Sequence, residues 1–433
     1  MWNRGVECQD REELAQLQLE RLQATLNRAY KNVPFYHNRL GGAWMDPSAV
    51  RSLDDLAKLP LMSREDLSHN YPYGLFAVPL RDIVRIHTAS GTGSNPTVSG
   101  YTETDLGIWT EMVARSLTAA GVSAEDIIQI CFDPGLANWA RDFKGGAEVI
   151  QASVIPMTPL EIPKQVMVMN DYKTSVLVTT PSYTRQLVRE MTRMGMNPNA
   201  LSLRRALLLG EYVSEKARLD LEEALHIRIQ TTYGLSEVPG PGVAYECKGR
   251  QGLHINEDHF IAEIIAPGTG EQLPPGRTGE LVLTSLTAKA FPLIRFRTGD
   301  RARINTEACH CGRTSARLQV TQGRADQLAV IRGVKLHPQL IKGVMARLHR
   351  PKLPAYVGFV RRLEELDLLE VWVQVDEDCF SDEIKMLEDL VQKVRGELEQ
   401  SLGIPVKVRL VEPETMIIYR DRQGQIIDER TNG

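Results

Sequence analysis

The chain has 433 residues, 42% of them hydrophobic and 24% charged, and 51 basic against 55 acidic side chains leave a formal net charge of −4. That length exceeds the usual single domain and supports a core that needs no staples, so two domains are expected. The near balance of charge excludes a global field steering the protein to nucleic acid or anionic lipid, and no local basic patch stands out to replace it.

The opening MWNRGVECQDREELAQL is too charged for a signal peptide, and the sequence has no apolar run of about 18 residues. A cytoplasmic protein with no membrane partner is expected. From 10 to 30, Leu14, Leu17, Leu22, Leu26 and Ala29 recur every three to five residues, an amphipathic helix that Pro34 ends. Short β-branched runs at 127–132, 147–157 and 175–180 alternate with helical patterns at 103–120, 162–170 and 182–195, which predicts a layered α/β core. Another unit follows: LRRALLLGE (203–211), a helix at 213–225 burying Leu219, Leu221 and Leu225, then IRIQTTYGLSE (227–237). In open α/β sheets ligands collect beyond the carboxyl ends of strands, where the turns at Gly210 and Gly234 fall. From 250 to 305, FIAEIIA, GELVLTSL and FPLIRFRT predict antiparallel ribbons or a small barrel packed on the first region. Beyond 325, VKLHPQLIKGVMARL, strands at 368–375 and 405–413, and a helix at 383–402 describe a small α+β domain. The boundary is placed near Asp326, giving domains 1–325 and 326–433.

Two local patterns carry chemistry. ASGTGSNPT (89–97) offers Ser90, Gly91, Thr92, Gly93 and Ser94 as an anion loop, in which backbone N–H groups freed by glycine converge on phosphate oxygens and hydroxyls add donors. Its composition is a weak signal, and it matches neither the GxGxxG fingerprint nor the GxxxxGK[ST] loop. The six cysteines are too sparse for a disulfide scaffold. Cys309 and Cys311 in ACHCGRT, with Cys247 and His254 upstream, instead make a Cys₃His set consistent with a tetrahedral structural Zn²⁺. Buried inert cysteines beside a hydrogen-bonded histidine are the competing reading.

The segments NVPFYHNRL (32–40), DLAKLPLMSREDLSHNYPYGLFAVP (55–79), IVRIHTASGTGSNPTVSGYT (83–102), YGLSEVPGPGVAYEC (233–247), GLHINEDHF (252–260), TGELVLTSLT (278–287), IRFRTGD (294–300), CHCGRT (309–314) and GRADQLAVIRGVKLHPQLI (323–341) together resemble the phenylacetate-coenzyme A ligase family of adenylate-forming enzymes. The resemblance runs through nearly the whole chain. It implies a large N-terminal adenylate-forming α/β domain with layered sheets and a β-rich subdomain, followed by a small mobile α+β domain. It also implies two steps: a carboxylate attacks ATP to give an acyl-adenylate, then a pantetheine thiol displaces AMP. The implied cofactors are ATP or AMP, Mg²⁺ and coenzyme A. The substrate is a small aromatic carboxylate, phenylacetate-, benzoate- or anthranilate-like, or its CoA thioester.

On this resemblance Tyr233 lines adenine, Ser236 touches the α-phosphate and Glu237 holds Mg²⁺. Asp300 accepts both ribose hydroxyls, Arg324 lies near ribose and phosphate, Asp326 marks the hinge, and Gly210 with Glu211 forms a turn near the nucleotide. Structural roles compete: a turn aspartate at 300, a loop cap at 237, a surface ion pair at Arg324, a ligand-free turn at 210–211. In the acyl region Phe132, Trp139 and Phe143 offer an aromatic face, with core packing equally able to explain them, and Asp133 a hydrogen bond to a ring substituent.

Two departures concern the chemistry. Asn95 stands where the family has a lysine before the proline of the phosphate loop, and a dipole replaces a charge. The family's C-terminal catalytic lysine falls on Arg422, with no lysine after Lys407. These admit an alternative: an aryl transferase moving the acyl group from CoA to an acyl carrier protein through the adenylate. A catalytically silent nucleotide-binding homologue is a further alternative, and a homodimer is compatible with all of them.

Overall fold

The computed structural model describes residues 1–41, 47–89, 95–132, 136–155, 161–238, 240–326, 328–348, 354–363, 366–375 and 384–430. The chain begins with helices α1 (Arg4–Glu7), α2 (Arg11–Asn32) and α3 (Pro34–Gly41). Asp10 caps α2 by accepting from the Glu12 N–H at 2.8 Å, and Leu14, Leu22, Leu26 and Ala29 form the buried stripe that the periodicity predicts. Pro34 ends α2 but also opens α3, since a first helical position needs no N–H donor. A Ser63–Asp66 capping box starts α4 (Arg64–His69). Strands β1 (Arg85–Ala89) and β2 (Thr97–Tyr101) then pair antiparallel.

The α/β alternation follows: α5 (Glu103–Ala119), β3 (Ile127–Cys131), α6 (Ala137–Val149), β4 (Ser153–Ile155), α7 (Ile162–Asp171), β5 (Val176–Thr179), α8 (Pro181–Arg193), β6 (Arg205–Leu208), α9 (Glu215–Leu225) and β7 (Arg228–Gly234). The strands are parallel in the order β7-β6-β5-β3-β4. Their β-branched and leucine runs are buried on both faces, as helices on each side of a parallel sheet require. Two expectations fail locally. Residues 147–149 finish α6, where Ala147 is buried on the helix's inner face, so the strand expected at 147–157 shrinks to β4. Leu219 is 47% exposed, because Leu221 and Leu225, one turn apart, take the inner face of α9.

Strands β8 (Pro241–Glu246), β9 (Leu253–Ile255), β10 (Phe260–Ile265), β11 (Gly279–Ser285), β12 (Phe296–Asn305) and β13 (Arg317–Arg324) pair antiparallel with one another and, through β8, with β7. The result is one 11-stranded sheet, β10-β11-β12-β13-β9-β8-β7-β6-β5-β3-β4. Of the two expected arrangements for 250–305, ribbons form and the barrel does not. The sheet changes from parallel to antiparallel at β7, the strand that ends in Tyr233 and Gly234.

The remaining chain makes a hairpin of β14 (Ala329–Ile331) and β15 (Val334–Leu336), then α10 (Pro338–Leu348), β16 (Tyr356–Leu363), β17 (Leu366–Gln374), α11 (Ile384–Leu402), β18 (Val406–Val411), α12 (Pro413–Ile417) and β19 (Ile426–Asp428). Four of these strands form a separate sheet, β18-β17-β16-β19. Among the described residues no helix is long and apolar enough to cross a membrane.

Candidate active site

A cleft of about 1400 Å³ lies between the carboxyl ends of β6 and β7, the β12–β13 edge and the small C-terminal unit. Gly210, Glu211, Tyr233, Ser236, Glu237, Asp300 and Arg324 all line it. The sequence separates these groups by up to 114 residues (324 − 210), and the strand ends gather them. The turn after β7 needs its glycine: a methyl group on Gly234 would meet the Gly240 carbonyl oxygen at 2.2 Å.

Asp300 is the hub of one wall of the cleft. It accepts from the Tyr233 hydroxyl at 2.6 Å and pairs through its other oxygen with the Arg324 guanidinium. Arg324 also donates to both Asp326 oxygens, at 2.5 and 2.6 Å, and to the Thr298 carbonyl at 2.9 Å. Burial opposes the Arg324 charge, but Asp300 and Asp326 outweigh it and raise its pKa above the ordinary arginine value. Burial, and then the Asp300 carboxylate, push the Tyr233 phenol well above its usual value, so it remains a donor at neutral pH. An ionised carboxylate offers about four acceptor sites. The protein's bonds leave capacity on Asp300 for two hydroxyls.

Two residues the sequence reading missed surround Glu237. Arg64, first in α4, donates to Glu237 Oε1 at 2.9 Å and to Asp326 Oδ2 at 3.0 Å. Lys335, on β15, places its ammonium 3.6 Å from Glu237 Oε2. Burial pushes the Glu237 carboxyl up, but Lys335 and Arg64 pull harder and leave it at about 2. Burial lowers Lys335 to about 8, with Glu237 opposing the shift. Glu237 Oε2 accepts no hydrogen bond, and a buried hard anionic oxygen of this kind suits Mg²⁺.

The other predicted groups are placed less centrally. Ser90, Gly91, Thr92, Gly93 and Ser94 lie outside the described residues, as does Asp133. Asn95 lines the cleft and donates to the Ser68 carbonyl at 3.3 Å. Glu211 spends one oxygen on α8, accepting from the Ser182 N–H at 2.9 Å and hydroxyl at 2.7 Å, while its Oε1 has no hydrogen-bond partner. Arg422 is exposed on the small unit and does not line the cleft. Of the three aromatics, Trp139 lines the cleft; Phe132 and Phe143 pack in the core, 6.3 Å apart between ring centres. His87 and Trp109 join Trp139 there, and the buried His87 Nε2 and Trp109 Nε1 have no hydrogen-bond partner. Burial, with Arg85 second, lowers His87 to about 4, so its ring is neutral.

Behind the strands that line the cleft, Cys247, His254, Cys309 and Cys311 converge with all four ligand atoms within 4.8 Å of one another. Tetrahedral zinc with Zn–S bonds of about 2.3 Å spaces two sulfurs about 3.8 Å apart. The Cys247 and Cys309 sulfurs are 3.8 Å apart, and Cys311 Sγ lies 3.4 Å from His254 Nε2. His254 Nδ1 meets the Ser315 hydroxyl at 3.1 Å, an outer partner of the kind that orients a metal-binding imidazole. The Cys311 thiol is pulled far below the ordinary value, first by the hydrogen bond from Cys247 and, against burial, by His254. The residues fit zinc, with no ligand position left for water.

Comparison with known proteins places this architecture. The family models described as "AMP-binding enzyme" and "AMP-binding enzyme C-terminal domain" match residues 143–287 and 333–430. Phenylacetate-coenzyme A ligase of Thermus thermophilus is 39% identical over 426 residues, covering 95% of this chain and 96% of its own. That of Escherichia coli is 37% identical over 408 residues, covering 94% and 92%. A solved structure of 2-hydroxyisobutyryl-CoA ligase with 2-HIB-AMP and CoA in the thioesterification state superposes with a TM-score of 0.88 at 24% identity, covering 98% of this chain and 92% of that one. The same enzyme in the postadenylation state with 2-HIB-AMP gives 0.71 at 23% identity, covering 99% and 92%. The fold, the two matched models and identity sustained along the chain's length make this protein an enzyme of the adenylate-forming phenylacetate-coenzyme A ligase family.

Proposed function

We propose that this chain makes or exchanges aryl thioesters through an aryl-adenylate, using ATP or AMP, Mg²⁺ and a pantetheine thiol. The observation that carries this reading is the convergence of Tyr233, Ser236, Glu237, Asp300 and Arg324 on one cleft between the large sheet and the small unit. Asp300 holds the ribose and Arg324 faces the phosphate. Magnesium on Glu237 would neutralise phosphate charge as the carboxylate attacks. The higher TM-score against the thioesterification state supports reading this disposition of the small unit as the thiol-accepting one. The Cys₃His knuckle holds structural zinc and takes no part in the chemistry.

A second reading, transfer of the aryl group from CoA to a carrier-protein thiol, is favoured by Asn95 and by a tail with no lysine after Lys407. Incubating the protein with an aryl-CoA and AMP, or with the free acid, ATP and Mg²⁺, and detecting aryl-adenylate by mass spectrometry separates the two. The ligase forms adenylate from both pairs; the transferase forms it from the first alone. Adenylate from neither, with no AMP binding by calorimetry, rejects both in favour of a silent homologue.

His87 and Trp109 support an aromatic acid bearing a hydrogen-bond acceptor on its ring, because both residues line the cleft and each has a buried ring nitrogen with no hydrogen-bond partner. Trp109→Phe keeps the ring and removes the N–H. We expect kcat/KM for such acids to fall about fivefold relative to unsubstituted benzoate. Unchanged substrate ranking refutes the assignment.

A further inference from the structure

Of the four knuckle ligands, Cys247, His254 and Cys309 are buried and Cys311 is partly exposed, so the cluster meets solvent at Cys311. A guanidinium stands beside that residue: Arg313 Nη1 donates to the Cys311 sulfur at 3.6 Å, and its Nε is fixed by Glu7 Oε2 at 2.6 Å. Zinc ligation keeps a cysteine as thiolate. A thiolate beside a cation and open to solvent is the form of cysteine that hydroperoxides oxidise. Two more sulfurs stand ready behind it, since Cys247 and Cys309 have their ligand atoms within 4.8 Å of that of Cys311. Cys8 is the other partly exposed thiol among the described residues; it donates to the Gly312 carbonyl at 3.1 Å and lies outside the ligand set.

The knuckle also reaches the cleft. Gly252 and Leu253 lie between Cys247 and His254 in the chain, and both line the cleft. Leu253 pairs with Leu318 on β13, another lining residue, and β13 ends in Arg324 opposite Asp300. A change at the knuckle is therefore one strand away from the proposed nucleotide groups.

We propose that Cys311 is a site of oxidation by small hydroperoxides, whose modification expels the zinc and loosens this wall of the cleft. The inference rests on the zinc reading above. The Cys311 thiolate attacks an oxygen of hydrogen peroxide: the S–O bond forms, the O–O bond breaks, and the leaving hydroxide takes up a proton to become water. The thiolate of Cys247 or Cys309 then attacks the sulfenic sulfur. The S–S bond forms, the S–O bond breaks, and a second hydroxide leaves as water after gaining a proton. The two sulfurs together give up two electrons, which the peroxide accepts. One cysteine and His254 remain, too few to hold the ion.

The test treats zinc-loaded full-length protein with hydrogen peroxide. A chromogenic zinc chelator should register about one zinc released for about one peroxide consumed, the ratio the two steps require. Peptide mass spectrometry should find a disulfide joining Cys311 to Cys247 or Cys309, and dimedone added with the peroxide should tag Cys311. AMP affinity, read by calorimetry, should fall at least about threefold as the strand junction loosens, and return after dithiothreitol and Zn²⁺. Cys8→Ser should leave the zinc release unchanged. Zinc and thiols that survive a large excess of peroxide, a first oxidation at Cys8, or zinc loss with AMP affinity unchanged would each overturn the inference while leaving the zinc site and the enzyme reading intact. Protein purified without zinc overturns the zinc reading and this inference together.

Discussion

Replacing Asp300 by alanine is expected to weaken AMP binding about 100-fold, with the fold retained. The carboxylate is the charged acceptor that joins Tyr233 to Arg324 on one wall of the cleft. Two hydroxyls bonded to an ionised acceptor contribute about 1.5–3 kcal/mol each, and a total of about 3 kcal/mol corresponds to a factor of about 150. The variant should survive because Arg324 retains both Asp326 oxygens and the Thr298 carbonyl, so its buried charge is not stranded. Tyr233 loses its acceptor and must find water in the cleft, a cost of about 1–3 kcal/mol at most. Calorimetric titration with AMP, beside a thermal unfolding scan, checks both halves. AMP affinity within threefold of wild type would show that the ribose does not reach Asp300. Asp300→Asn is the finer probe: it keeps the shape, halves the acceptor capacity and should fall between the two.

The parts of the fold that periodicity controls were readable from the sequence, and so was a set of residues that share one cleft, for different reasons. The stripe of α2 and the buried runs of β3, β5 and β6 are local patterns, because each element's own side chains record which face is covered. Tyr233, Glu237 and Asp300 were found through resemblance; nothing in their spacing brings them together. Arg64 escaped because it reaches Glu237 across 173 positions, while locally it only follows the capping serine of a short helix. Lys335 escaped for a related reason. A lone charge between Val334 and Leu336 reads as the solvent face of a strand, and only the packing of one unit on another turns that face into a cleft wall. β16 and β19 went unseen as well. β16 is buried through Tyr356, Val357, Gly358, Phe359 and Val360 on consecutive positions, so it shows no alternation, and β19 has only three residues.

The Cys₃His knuckle carries the second large expectation, which concerns stability. Purified protein should contain about one zinc per chain, and Cys311→Ser or treatment with a strong chelator should lower Tm by at least about 5 °C. The reason lies in what the four ligands join: Cys247 follows β8, His254 sits in β9, and Cys309 and Cys311 belong to the connection from β12 to β13. Strand β9 is three residues long and sits between β13 and β8, too short to fix this junction by its own ladder. The same loop anchors the N-terminus, where Arg313 donates to Glu7 Oε2 at 2.6 Å and the Thr314 N–H to the Glu7 carbonyl at 3.2 Å. Without metal, three thiol groups and an imidazole would crowd together inside 4.8 Å with nothing to bind them to one another, and the loop would open. Leu253 and Gly252 line the far side of the same strand, so AMP binding should weaken only as the junction loosens. Metal analysis finding less than about one zinc in several chains, or a chelator that leaves Tm unchanged, would return these residues to ordinary buried thiols and a hydrogen-bonded histidine.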